Sequence, residues 1–180
     1  MRRKNITGEM MMGYISQALL LLMREKPYAE ITIGEITHRA GVNRSTYYRH
    51  FDTKESIVRF YLDTVMCEYR QVFAEKQSMD FTLYLLTMFQ TFYRHKEDLL
   101  LLHGEGLSIY LLDVLMKHFR FEEIANGASI EQQYRASYHL GGIYNNMLLW
   151  FSHGMTEPPK EMARVAMTYR PAESLTLFNF

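Results

Sequence analysis

The chain has 180 residues, 48% apolar and 22% charged, and at this length one body buries roughly 70% of the surface exposed by its unfolded chain. No run reaches the eighteen or so apolar residues of a membrane span, and a lone cysteine, Cys67, excludes an intrachain disulfide and a thiolate metal cluster. Lys plus Arg balance Asp plus Glu at 20 each, but residues 1–60 carry ten basic against six acidic side chains and residues 61–180 carry ten against fourteen. That division suits a protein that offers one end to a polyanion. The basic start MRRKN leads into no signal-type apolar segment, so a cytoplasmic protein without a membrane partner is expected.

Apolar residues recur three and four apart over stretches longer than ten, which predicts an all-α fold. The first helix is expected from about Thr7 to Arg24, ended by Pro27, which biases Lys26 away from helix. Thr32 and Glu35 have the spacing of a capping box, so a short helix should begin there. Gly41 supplies the positive φ of a sharp turn, and Asn43 is placed to cap a second short helix ending near Phe51. Asp52 or Thr53 then caps a long helix from Lys54 to about Lys76. Further helices are expected at about Phe81 to His95, Glu97 to Gly104, Ser108 to Phe119, Ile130 to Phe151 and Pro159 to Met167, with loops at ANGAS (125–129) and HGMTEPP (153–159). The domains follow: a three-helix head over residues 1–53, and a larger helical body over residues 54–180 that includes the connecting helix.

Two short helices joined by a glycine turn, behind a longer helix, make a helix-turn-helix, whose second helix enters the DNA major groove. That accounts for the segment GVNRSTYYRHF, residues 41–51. Arg44 can fork onto guanine or onto phosphate, Ser45 and Thr46 are short donors that permit close approach, and Tyr48 can reach a phosphate or a thymine methyl. Thr32 and Lys54, at the starts of the flanking helices, are placed for phosphates. Ile33, Ile36, Ala40, Val42, Tyr47 and Phe51 supply the apolar side, leaving Arg44, Ser45, Thr46, Tyr48, Arg49 and His50 largely outside. For Arg49 the choice between phosphate and water stays open.

The run ITIGEITHRAGVNRSTYYRHFDTKESIV, residues 31–58, closely resembles the DNA-binding signature of the TetR family of transcriptional regulators, and the likeness extends back through ISQALLLLMREKPYAEITI. It covers roughly the first sixty residues in order and spacing. The resemblance implies DNA contacts from Thr32, Arg44, Ser45, Thr46, Tyr48, His50 and Lys54, with Tyr47 packed inward where phenylalanine is frequent. The arm before the first helix is short, although Arg2, Arg3 and Lys4 are within reach of a minor groove or phosphates. It implies a ligand-responsive repressor, a homodimer on a palindromic operator in double-stranded DNA, and a body that binds an unidentified small-molecule effector. Pairing with the second copy falls to about Ile130 to Phe151 and Pro159 to Met167. The Gly141-Gly142 pair followed by Trp150 also resembles a subgroup similar to the dihydroxyacetone kinase regulator.

Thirteen methionines, thirteen tyrosines and eleven phenylalanines concentrate in the body. They can line an apolar pocket, for which Phe89, Phe92, Tyr93, His103, Tyr110, Met147 and Trp150 are the candidates, or fill a core or a dimer interface. The rival function is an activator or co-regulator whose body binds a protein partner and no small ligand. No catalytic motif appears, so an enzyme is not expected, nor a cofactor or a metal site. The groups His95, Glu97, Asp98 and His118, Glu122, Glu123 read as pairs along a solvated helix face. Cys67 reads as a small apolar residue or as a redox switch.

Overall fold

The computed structural model describes residues 2–77, 80–119 and 127–169, with only the backbone for residues 2–7. Among the described residues it is all-α. Helix α1, Arg2–Met23, starts more than a turn before the expected Thr7, since nothing from Arg2 to Ile6 interrupts a helix. Its face of Ile15, Ala18, Leu19, Leu22 and Met23 is buried. The side chains of Arg2, Arg3 and Lys4 lie outside the described residues.

The next two helices form as their local chemistry dictates. In α2, Ile33–Ala40, the Thr32 hydroxyl accepts from the Glu35 N–H at 3.2 Å while Glu35 accepts from the Thr32 N–H at 2.9 Å. The bond from Lys26 and those from Thr32 hold the Glu35 carboxyl down at a pKa of about 2. Gly41 ends α2 at φ 67°, where a side chain would be strained. Helix α3, Arg44–His50, follows, with Asn43 as the first capping residue but without a side-chain bond.

Ile36 and Tyr47 are fully buried and Phe51 nearly so, and they close the head's core against Ile15, Leu19, Ile57 and Val58. The Tyr47 ring meets Tyr48 edge-on at 5.1 Å and Phe51 at 6.0 Å. Its hydroxyl is buried with no hydrogen-bond partner, and burial pushes its pKa up to about 12. Tyr47→Phe keeps the ring and removes an unsatisfied donor, so the protein should be as stable or about 1 kcal/mol more stable in urea unfolding. A loss above about 1 kcal/mol would mean the hydroxyl is bonded after all.

Helix α4, Lys54–Glu75, opens with a Thr53–Ser56 capping box and runs from the head into the body. The body adds α5, Phe81–Arg94, α6, Lys96–Gly104, and α7, Tyr110–His118, then α8, Ile130–Ser152, and α9, Pro159–Thr168. A 3-10 turn, Leu107–Ile109, takes the first residues of the segment expected as helix from Ser108. Helix α4 packs on α1, α5 and α7, and α9 lies along α5. The loop expected at residues 125–129 falls partly outside the described residues.

Polar bonds tie the connecting helix α4 to the rest of the body, and another joins head to body. The Arg24 guanidinium, just past the end of α1, reaches Asp98 on α6 at 2.8 Å, and Tyr61 on α4 donates to the same carboxylate at 3.1 Å. His95 meets Glu68 at 2.6 Å and the Tyr61 hydroxyl at 3.2 Å. Also on α4, Arg59 pairs with Asp113 at 3.3 Å, and Asp63 accepts from Lys117 at 2.7 Å and His118 at 2.9 Å. The expectation of pairs along one helix face is therefore corrected for His95, Glu97, Asp98 and His118, whose partners lie on other segments of the chain, Glu97 standing 3.6 Å from Arg24; Glu122 and Glu123 lie outside the described residues. Local spacing identifies neighbours on one helix only, whereas these bonds depend on how helices pack.

Candidate nucleic-acid interface

The buried side of α3 fixes which residues it can present. With Tyr47 and Phe51 in the core, Arg44, Ser45, Tyr48 and Arg49 are exposed, and Tyr48 keeps 58% of its surface in solvent. Thr46 and His50 are half-buried. Two cations, a hydroxyl and a phenol on one short helix match the donors that phosphates and the major-groove edges of guanine accept.

Two of the expected contacts sit deeper than their spacing implies. The His50 ring lies under α1, where a Cβ at Gly8 would meet it at 3.4 Å, and it lines an open cleft of about 320 Å³ with Met12, Phe51 and Arg59. Lys54 turns inward: its ammonium donates to the backbone carbonyls of Tyr28 and Ile31, each at 2.8 Å, and lies 4.4 Å from the Tyr28 ring centre. One of its three donors is left for an outside acceptor. Lys54→Ala would strip both carbonyls of a charged donor, and a loss of about 2 kcal/mol in urea unfolding is expected. A change below about 0.5 kcal/mol would show that water replaces the ammonium without penalty.

Thr32 is exposed, but its hydroxyl already donates to Glu35 at 2.8 Å as part of the cap. Beside it lies Gly34, a position that sequence reasoning missed. A Cβ there would come within 2.8 Å of the Arg44 guanidinium, so the absent side chain lets Arg44 fold across the start of α2. Glycine at the second position of a helix, where any helix former would serve better, is the signal that was available.

The body candidates gather in part. Phe89 meets Trp150 edge-on at 5.5 Å, Tyr93 stacks on Trp150 at 6.0 Å, and the indole N–H donates to the Glu157 carbonyl at 3.0 Å. Phe92 and Met147 are fully buried. His103 lies at 5.8 Å from Phe151 and 3.1 Å from the Ser108 hydroxyl. Tyr110 is placed elsewhere, under the Arg59 guanidinium at 4.2 Å on the face of α7 toward α4.

Two family models match in sequence order. Residues 15–59, from the middle of α1 into α4, match bacterial regulatory proteins of the tetR family. Residues 80–169 match the C-terminal region of a transcriptional regulator. The chain belongs to the TetR family of transcriptional regulators. It is therefore a DNA-binding regulator, and α3 is the recognition helix of its helix-turn-helix head. Comparison with curated proteins finds no match. Among the described residues no single helix is long and apolar enough to cross a membrane.

Proposed function

We propose that this TetR-family regulator is a cytoplasmic repressor that binds a palindromic operator as a homodimer and leaves it when a small molecule enters the body. The observation that carries the reading is the division of α3 between a buried Tyr47–Phe51 side and an exposed side of Arg44, Ser45, Tyr48 and Arg49. Supporting the dimer is a stripe on α8: Ile130, Tyr134 and Tyr138, four residues apart, are 71%, 73% and 81% exposed, with Leu149 farther along the helix at 57%. Large apolar side chains left in water along one face suit burial against a second copy. Repression follows simply from occupancy, because a dimer seated on an operator obstructs polymerase.

Selection from a random pool of duplexes tests the reading. Recovered sites should be palindromes with half-sites about one helical turn apart, roughly 34–36 Å. Arg44→Ala should cost about 1–3 kcal/mol on the selected duplex and relax the preference at one base pair per half-site if the side chain reads guanine. Unchanged affinity would remove Arg44 from the interface.

The second reading, an activator or co-regulator whose body takes a protein partner and no small ligand, draws on the complete burial of Phe89, Phe92 and Met147. Residues packed to this degree line a pocket only where a ligand replaces their neighbours. Thermal shift against a metabolite panel separates the two, since a ligand at a hundred times its Kd adds about 2.7 kcal/mol.

A further inference from the structure

We propose that Asp63, Cys67 and His118 form a binding site for a thiophilic divalent cation of the zinc class, bridging α4 and α7. Asp63 and Cys67 stand one turn apart on α4 and present their ligand atoms to the same side, and His118 arrives from the end of α7. One ligand atom from each lies within 4.8 Å of the other two. The thiol is 4.0 Å from Asp63 Oδ2, and His118 Nε2 is 2.9 Å from Asp63 Oδ1. Ligands around a tetrahedral zinc, with arms of about 2.0–2.3 Å, stand about 3.5 Å apart, so rotamer changes of ordinary size bring the three into range.

A second observation points the same way. The His118 side chain is only 5% exposed and its Nε2 faces the cluster. A buried imidazole held toward a carboxylate and a thiol is a ligand set that selects zinc-class ions. Cys67 is exposed and provides the way in. Lys117, bonded to Asp63 at 2.7 Å, is the competitor, and with 70% of its side chain exposed it can swing into water when a cation takes its place. On binding, the thiol S–H bond breaks, its proton goes to solvent, the thiolate donates its electron pair to the metal, and the carboxylate exchanges the Lys117 ammonium for the same ion. Three protein ligands leave a fourth position for water.

The site lies on the helix that joins head to body. Any effect of the ion on DNA binding rests on the ligand-responsive reading above, whereas the site itself does not.

Because Cys67 is the only cysteine, a thiolate-to-metal charge-transfer band can arise at this one place in each chain. Cobalt(II) titrated into the untagged full chain should raise that band to saturation at one ion per chain, and zinc(II) should abolish it. Cys67→Ser should show no band, and Asp63→Asn should need at least about tenfold more cobalt. His118→Gln should likewise weaken binding; if that variant does not fold, the two exposed or half-exposed positions carry the test. Absence of a band in the wild type, an equal band in Cys67→Ser, or saturation at one ion per two chains would overturn the site while leaving the repressor reading untouched.

Discussion

Tyr134→Asp combined with Tyr138→Asp is expected to turn the dimer into a monomer and to weaken operator binding by roughly a hundredfold or more. Both side chains stand in water in the single chain, so neither substitution disturbs the monomer's core. In a two-fold contact each aspartate appears twice, and a carboxylate on the apolar face of both copies brings like charges together where large rings would otherwise pack. The affinity follows because one head contributes half of the contacts, and the second head gains its effective concentration only through the dimer. Light scattering should report the mass of one chain with an unchanged circular dichroism spectrum. A variant that keeps twice that mass would move the interface off the Ile130–Tyr134–Tyr138 stripe.

The second large effect is an acid sensitivity set by His139. Its ring lies 5.5 Å from Phe81, and Nε2 stands 3.4 Å from the Tyr84 hydroxyl in the buried core of the body. Loss of water around the imidazole lowers its pKa to about 4. In the unfolded chain a histidine titrates near 6.5, so between these values the unfolded state holds the extra proton. The contribution to stability is thus fully present above about pH 6.5 and is lost as the pH falls toward 4. About 2 kcal/mol should disappear between about pH 7 and pH 5, a window above the range in which most carboxylates titrate. His118, also lowered chiefly by burial, adds a loss of the same sign. Urea unfolding of His139→Gln should show a distinctly smaller pH dependence than the wild type; equal slopes would assign the acid sensitivity to other groups.

What the sequence made legible was local chemistry. The Thr32–Glu35 box, the left-handed Gly41 and the apolar set of Ile36, Tyr47 and Phe51 each act within a few residues, and together they specify the head and the outward side of α3. Depth was harder to read. Position on the helix puts His50 near the DNA side, but the gap at Gly8 admits its ring beneath α1. Likewise Lys54 has the place of a phosphate ligand, yet the carbonyls of Tyr28 and Ile31, in and just past the Tyr28–Glu30 turn, are at shorter reach. Arg24 with Asp98 and Asp63 with His118 lie 74 and 55 residues apart in sequence, and no spacing rule joins them. The cation site belongs to this class, since its residues come together only when α7 lies along α4.

Cleavage from an iron chelate tethered at Arg49→Cys, in a Cys67→Ser background on a selected duplex, places α3 on DNA most directly. Two clusters of cuts are expected, one in each half-site, centred in major grooves on the same face of the duplex about one helical turn apart, roughly 34–36 Å. Uniform cutting, or a single cluster, would contradict a recognition helix presented twice by a homodimer.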